Sequence, residues 1–240
     1  MRAIYNSMRN ARAFADAWHR HTHAQTELFV RRTVSVLGLP DNATILNAGS
    51  GGNDLGLQSV RHIQTDIAES TLYGVPSAVT ADLQALPFAD AAFDLVVSVG
   101  CVLNYCDVAS AAGEVSRVLR PGGYAILDFE RSRTFEFIWT EHFDRNATLI
   151  HTFYNGVRHP LWVYSDQYVA SILLANDLVL CRRMAFHLLS PLLLRVTRSQ
   201  RVAAFCRALD RPARYLPGLP AMACNTIWLC KKRHDGDKVI

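Results

Sequence analysis

The chain has 240 residues, half of them hydrophobic, and a formal net charge of +4. That is enough apolar material for one substantial core, so a single domain over residues 1–240 is expected. No apolar run approaches the ~18 residues a spanning helix needs, which disfavours a membrane-crossing protein.

The charge is unevenly distributed. Residues 1–177 hold 13 Lys/Arg against 18 Asp/Glu, whereas residues 178–240 hold 12 against 3. The basic C-terminal part suits either an anionic surface or a solvated helix face. Six cysteines, Cys101, Cys106, Cys181, Cys206, Cys224 and Cys230, are scattered without a CxxC pair and read as reduced and structural. The segment MRAIYNSMRNARAF carries no continuous apolar stretch, so a cytoplasmic location is expected.

In chain order, residues 8–37 show apolar positions at helical spacing, including Phe14, Trp18, Phe29 and Leu37, until Gly38 and Pro40 break the pattern. Short apolar segments follow as strand candidates: ATILNAG, RHIQTDI, SAVTADL, AFDLVVSVG and GYAILDFE. Between the last two, DVASAAGEVSRVLRPGG reads as a helix ended by proline and glycines. RSRTFEFIWTEHFDRNATLIHTFYNG is polar and aromatic, SDQYVASILLANDLVL reads as helix then strand, and NTIWLCKK as a closing strand. Residues 186–221 look like an inserted pair of helices before that strand, and residues 1–39 like a helical cap on the sheet's ligand edge. Strands alternating with helices argue for an α/β, mostly parallel, doubly wound sheet.

ILNAGSGGND (residues 45–54) places Gly49, Gly51 and Gly52 directly after a strand candidate. Glycine permits backbone angles and close approaches that other residues do not, so this loop is a candidate nucleotide cradle. Asp66 ends the next strand, where a carboxylate can accept both hydroxyls of a ribose. Asp82 is placed to receive an exocyclic adenine amine. The dinucleotide fingerprint asks for glycine at position 54, which is Asp54, and no GxxxxGK[ST] occurs. The loop therefore suits a nucleoside ligand without a phosphate chain. Simpler roles exist for the same residues: Gly51 and Gly52 shape turns, Asp66 and Asp82 cap helical turns, Asp94 starts a strand, and RPGG is turn chemistry.

This series of motifs resembles the class I S-adenosylmethionine-dependent methyltransferases of small-molecule type. ILNAGSGGN resembles the family's first motif, TDIAES its acidic second-strand end, ADLQALPFADAAFDLVV its D-x-x-x-LPF-x-x-x-x-FDLV run, and VSRVLRPGGYAILDF its helix, turn and fifth strand. The resemblance covers residues 40–130 and implies a Rossmann-like, seven-stranded sheet and S-adenosylmethionine as cofactor. It carries cofactor contacts to Asn47, Ala48, Gly49, Ser50 and Gly51, to Asp66 and Ile67, to Asp82 and Leu83, and to Val99 and Gly100. Many members have an acidic residue where this chain has Asn47, which supplies an amide but no charge.

Methyl transfer needs alignment and, for a hydroxyl acceptor, a base. The candidates are His142, in the aromatic segment after the fifth strand, Tyr105, just past the fourth strand, and His23 on the N-terminal helix. His19 and His23 lie four apart on one helix face, but no third metal ligand is evident, so no metal is expected. The aromatic residues around His142 and His151 suit an apolar or cyclic small-molecule acceptor. Aromatics interleaved with a basic patch are missing at the ligand edge, and the first two-thirds is acidic, so nucleic acid is not an expected partner. The arginine-rich insertion is compatible with peripheral contact with an anionic membrane. The competing readings are a degenerate methyltransferase-fold subunit and an NAD(P)-dependent oxidoreductase, which Asp54 disfavours.

Overall fold

The continuous apolar runs become the interior strands of one sheet. In the computed structural model, residues 17–57, 61–154, 157–188, 210 and 215–234 are described. The elements in order are α1 (Ala17–Leu37), β1 (Thr44–Ala48), β2 (Arg61–Asp66), β3 (Ala78–Thr80), β4 (Phe93–Ser98), α2 (Val108–Val118), β5 (Leu119–Glu130), β6 (Ala147–Tyr154), β7 (Val157–Tyr164), α3 (Asp166–Ala175), β8 (Leu178–Phe186) and β9 (Asn225–Lys232). Seven strands pair in the order β3-β2-β1-β4-β5-β9-β8. β1 to β5 are parallel, while β9 runs antiparallel between β5 and β8. The expected α/β, mostly parallel sheet is therefore present, and its switch point lies where β1 and β4 meet.

Strand residues alternate between two cores, as the period of two requires. Leu46, Val96, Ala125, Leu127 and Trp228 pack with Val108, Val115 and Leu173 of α2 and α3. Ile45, Leu95, Val97, Ile126 and Ile227 pack with Phe29 and Val30 of α1. Helix α1 thus covers the face opposite α2 and α3. Its N-terminal half is held by Thr22 Oγ1, 2.8 Å from Nε2 of buried His187, which follows β8 at the carboxyl edge of the parallel strands. That tie brings the start of α1 beside the carboxyl edge, while the rest of the helix lies on the sheet face. Residues 1–16 of the expected cap lie outside the described residues, as does most of the arginine-rich insertion (189–209 and 211–214). No helix among the described residues is long and apolar enough to cross a membrane.

Two sequence expectations need correction. The helix stops at Val118, and Arg120-Pro121-Gly122-Gly123 lies inside β5 rather than in a turn between helix and strand. The register passes from Phe93↔Leu119 to Leu95↔Tyr124, so these residues form a bulge. A Cβ on Gly123 would lie 2.9 Å from Arg120 O and 3.0 Å from Asp94 O, which explains its glycine. The polar aromatic stretch, read without an element, contributes β6, which pairs antiparallel with β7 as a separate two-stranded sheet. Its partner strand comes from the following residues, so the hairpin shows only when the two segments are read together.

Asn104 fastens this hairpin to the main sheet. It is fully buried, donates through Nδ2 to Glu130 O (3.0 Å) and Trp162 O (2.6 Å), and accepts from Glu130 N (2.8 Å). Arg131, 3 % exposed, ties the end of β5 to α3 through Asp166 (2.8 Å) and donates to Pro220 O and Ala221 O before β9. Asn104→Ala removes three hydrogen bonds to backbone groups of Glu130 and Trp162. A loss of about 2–4 kcal/mol in urea unfolding is expected, whereas a change below about 0.5 kcal/mol would show the bonds to be dispensable.

Candidate functional site

The glycine loop closes across the end of β2. Gly49 N and Ser50 N both donate to Thr65 O, at 2.8 and 2.9 Å. Gly49, Gly51 and Gly52 have φ of 73°, 55° and 77°, the region in which glycine alone is unstrained. Gly49 is also sterically required, because a Cβ there would lie 2.5 and 2.8 Å from the two Cγ atoms of Val102. A Cβ on Gly51 would meet nothing within 4 Å, nor would one on Gly100. Gly49 is therefore a packing glycine, while Gly51 and Gly100 border open space at the sheet's switch point.

Asp66 braces that loop. Its Oδ2 accepts from Gly51 N and its Oδ1 from Ala68 N, each at 2.8 Å. A carboxylate has about four acceptor positions, so two such bonds leave capacity for the paired hydroxyls of a ribose. Asn47, 1 % exposed, donates from Nδ2 to Asn53 O at 2.7 Å. A carboxylate at position 47 would meet that carbonyl with like polarity, so the amide is matched to this loop. Asp54 accepts from Gly56 N within its own turn.

The second loop is built around Asp82. Its Oδ1 accepts from Gln84 N at 2.9 Å and from Gln84 Nε2 at 3.1 Å, and Gln84 Oε1 accepts from Asp107 N. Asp107 in turn caps α2 through Ala109 N and Ser110 N. Farther along, Arg117 donates to Leu86 O and Phe88 O and pairs with Glu114, whose Oε2 accepts from Leu86 N. Hydrogen bonds from Arg117 hold the Glu114 carboxyl below its usual range. Leu83 is buried and Ile67 half-buried. Asp82 thus serves first as a loop brace. Asp94 accepts from Thr44 N and pairs with Arg120, a structural strand-start role.

At the end of β4, Val99 is buried and Gly100 exposed, and Cys101 adopts a left-handed φ of 62°. A fully buried carboxylate, Asp128, holds this turn: Oδ1 accepts from Cys101 N at 2.8 Å, and Gly100 N also donates to the group. Enclosure pushes the Asp128 carboxyl up to about 7, against these two stabilising amides. Asp128 Oδ2, Asn225 Oδ1 and Ser98 Oγ are buried with no hydrogen-bond partner among the described residues. Glu130 keeps partial solvent exposure, so its upward displacement, caused by enclosure and then by Glu136 and Asp128, is the weaker constraint. Burial pushes the Cys106 thiol up to about 12, consistent with inert structural cysteines, and Cys181 is exposed.

The three candidate bases are distributed unequally. Tyr105 follows Val102 in a 3-10 turn, and its hydroxyl lies 3.0 Å from Nε2 of His159 on β7. His142 places Nδ1 3.1 Å from Thr148 Oγ1 and its ring edge-on to Phe137. Phe137, Leu161 and Val163 form a small core against which Tyr105, Phe143 and Ile150 pack. Tyr105 and His142 therefore border one apolar cluster under the hairpin. His23 stands apart, half-buried on α1, and the side chain of His19 lies outside the described ones. No group of three metal-ligating side chains occurs among the described residues.

Residues 48–127 match a family described as a methyltransferase domain. That stretch contains the braced glycine loop, Asp66, Asp82 and the β4 turn. Over that third of its length the chain is similar to the methyltransferases that use S-adenosylmethionine. Over 142 residues, half of this chain, it is 28 % identical to a ubiquinone/menaquinone biosynthesis C-methyltransferase of Geobacter sulfurreducens, covering 56 % of that protein. Over 101 residues it is 36 % identical to a malonyl-[acyl-carrier protein] O-methyltransferase of Dechloromonas aromatica, covering 38 % of each. The chain thus spans about half or less of these curated relatives.

The fold extends further than the sequence likeness. A chain of the Haloferax volcanii complex containing the Trm112 methyltransferase activator matches with a TM-score of 0.64 at 13 % identity, over 99 % of both chains. The Burkholderia thailandensis 1,6-didemethyltoxoflavin-N1-methyltransferase, solved with S-adenosylhomocysteine, matches with a TM-score of 0.56 at 15 % identity, over 97 % of this chain and 87 % of that one.

S-Adenosylmethionine is the family's cofactor, and the site's chemistry fits it: spare carboxylate acceptors at Asp66, glycine backbone bordering open space, and no cation to bind a phosphate chain among the loop residues described above. Sequence reasoning alone does not single out Asp128 and His159. Asp128 was read only as the end of a strand, and His159 belongs to a strand not foreseen. The hairpin dipeptide Asn155-Gly156 was the available signal for the latter.

Two outcomes are expected. Gly49→Ala clashes with Val102 at positive φ and loses about 2–4 kcal/mol in chemical denaturation, while Gly51→Ala loses about 1 kcal/mol; equal losses would contradict the packing role of Gly49. The Asp128 carboxyl is raised on folding, so its contribution is complete below the unfolded value near 4 and is lost as pH rises through about 7. Asp128→Asn should therefore be more stable than the parent at pH 8 by about 2–4 kcal/mol, with the gap closing toward pH 4. A gap that does not vary with pH would refute this.

Proposed function

We propose that the chain transfers a methyl group from S-adenosylmethionine to a small, cyclic organic acceptor. The observation that carries this reading is the Asp66 carboxylate, which braces the Gly51 amide at the border of open space and keeps acceptor positions beyond its two amide bonds. The sulfonium of the cofactor supplies an activated methyl and a neutral leaving group.

The chain's residues do the rest by positioning. Asp66 would receive the ribose hydroxyls, with Ile67 beside the adenine. The free lone pairs of Asp82 and the backbone at Leu83 would read the adenine edge. Asn47 and Ala48 hold the base of the loop, while Gly49, Ser50 and Gly51 present its backbone. Val99 and Gly100 close the site from β4. The apolar cluster of Phe137, Leu161 and Val163 favours an acceptor with a flat apolar body and excludes water from the methyl's path. The ubiquinone/menaquinone C-methyltransferase supports a small-molecule acceptor by its name, while the other relative is named for a malonyl group on an acyl-carrier protein.

Calorimetric titration tests the reading. Micromolar binding of S-adenosylmethionine and S-adenosylhomocysteine is expected, with none of NAD(P)H, and Asp66→Ala should weaken binding at least ~10-fold, or about 1.4 kcal/mol. Binding of NAD(P)H alone would overturn the assignment, and silence with all three would favour a degenerate fold.

A further inference from the structure

The turn that follows β4 joins the cofactor side to the acceptor side. Val102 packs on Gly49 so closely that no Cβ fits between them. Asn104 anchors the same turn to β5 and β7, and Tyr164 Oη donates to Cys106 O at 3.0 Å. One residue after the anchor, Tyr105 turns its hydroxyl to His159 Nε2 at 3.0 Å, with the rings tilted at 35° and 5.7 Å apart. His159 is 3 % exposed, although it lies on a two-stranded hairpin outside the main sheet. A histidine enclosed on such a small element, and facing a phenol on a rigid turn, is a built polar pair at the border of an apolar cluster.

We propose that Tyr105 and His159 form a proton relay that deprotonates a phenolic or enolic hydroxyl acceptor. This rests on the methyltransferase reading above. Tyr105 is the catalytic residue, and His159 positions it and stores the proton. With its own proton on Nδ1, His159 accepts the phenol proton of Tyr105 at Nε2 as Tyr105 oxygen takes the proton of the acceptor hydroxyl. The acceptor oxygen's freed lone pair forms the new bond to the methyl carbon. The carbon–sulfur bond breaks with its electron pair leaving on sulfur, which discharges the sulfonium, and the proton remains as imidazolium on His159. Atoms and charge balance without a metal or redox partner.

The relay makes the acceptor's acidity the deciding variable. A phenol already ionised in solution needs no base, whereas a weakly acidic one does. The apolar, partly aromatic cluster of Phe137, Phe143 and Leu161 suits a ring, and the His159–Tyr105 pair gives that ring's hydroxyl a polar end to meet.

The experiment uses the full chain with S-adenosylhomocysteine bound and 4-nitrophenol as probe, buffered about one unit below the probe's own ionisation. The relay predicts that bound probe shows the phenolate absorption band in the parent. In Tyr105→Phe and His159→Gln the probe should bind but remain neutral. With S-adenosylmethionine, Tyr105→Phe should lower single-turnover methylation of unsubstituted phenol by ~10²-fold or more, while the rate with pre-ionised 4-nitrophenolate stays within about threefold. Melting followed by circular dichroism checks that the Phe variant keeps its packing. Neutral probe in the parent, equal loss with both phenols, or no binding of any phenol would overturn the proposal. Failure to bind S-adenosylhomocysteine at all would instead overturn the methyltransferase reading on which it rests.

Discussion

The contact between Gly49 and Val102 is the constraint from which the site's geometry follows. It brings the loop after β1 against the turn after β4 with no room for a Cβ, so the two halves of the switch point cannot move independently. Interiors packed at this density transmit a shift rather than absorb it. Every other brace has the effect of keeping that contact in register. Asp66 holds the loop through Gly51, and Asn47 holds its far side through Asn53. Asp128 and Asn104 hold the turn from beneath and from beside.

These braces differ in chemical kind, and the difference has consequences. Asn104 is neutral and completely satisfied, so it adds rigidity without dependence on conditions. Asp128 is an enclosed carboxyl with one unpartnered oxygen, which makes the turn it supports sensitive to protonation near neutrality. The Arg117–Glu114 pair lies at the surface of α2, yet its guanidinium also caps two loop carbonyls. Its value therefore lies in fixing the Asp82 loop more than in the ion pair itself.

The short connections among β1, β2 and β3 shape the molecule in another way. A 3-10 turn, Glu69–Leu72, lies between β2 and β3, and turns follow β1, so among the described residues no crossover α-helix covers this part of the sheet. α1 supplies that cover instead, from before the first strand, with Phe29 and Val30 on Ile45 and Leu95. Its tie to His187 couples the N-terminal half of α1 to the residues after β8.

The motifs of residues 40–130 were legible because each depends on local chemistry. Glycines at ILNAGSGGND answer to backbone angles, Asp66 to its position at a strand end, and β4 and β5 to uninterrupted apolar runs that only a buried parallel strand accommodates. The glycine loop and the strand ends beside it were therefore readable from sequence, and so were the sheet's order class and its closing strand. What tertiary structure alone decided lies between distant segments. That Gly49 answers to Val102, that RPGG is a bulge against Asp94, and that Tyr105 meets His159 all depend on which surfaces come together after folding. Asp128 and Asn104 look like ordinary strand-end and turn residues until burial removes water from them. The missing water makes their few hydrogen-bond partners decisive, and linear spacing does not record it.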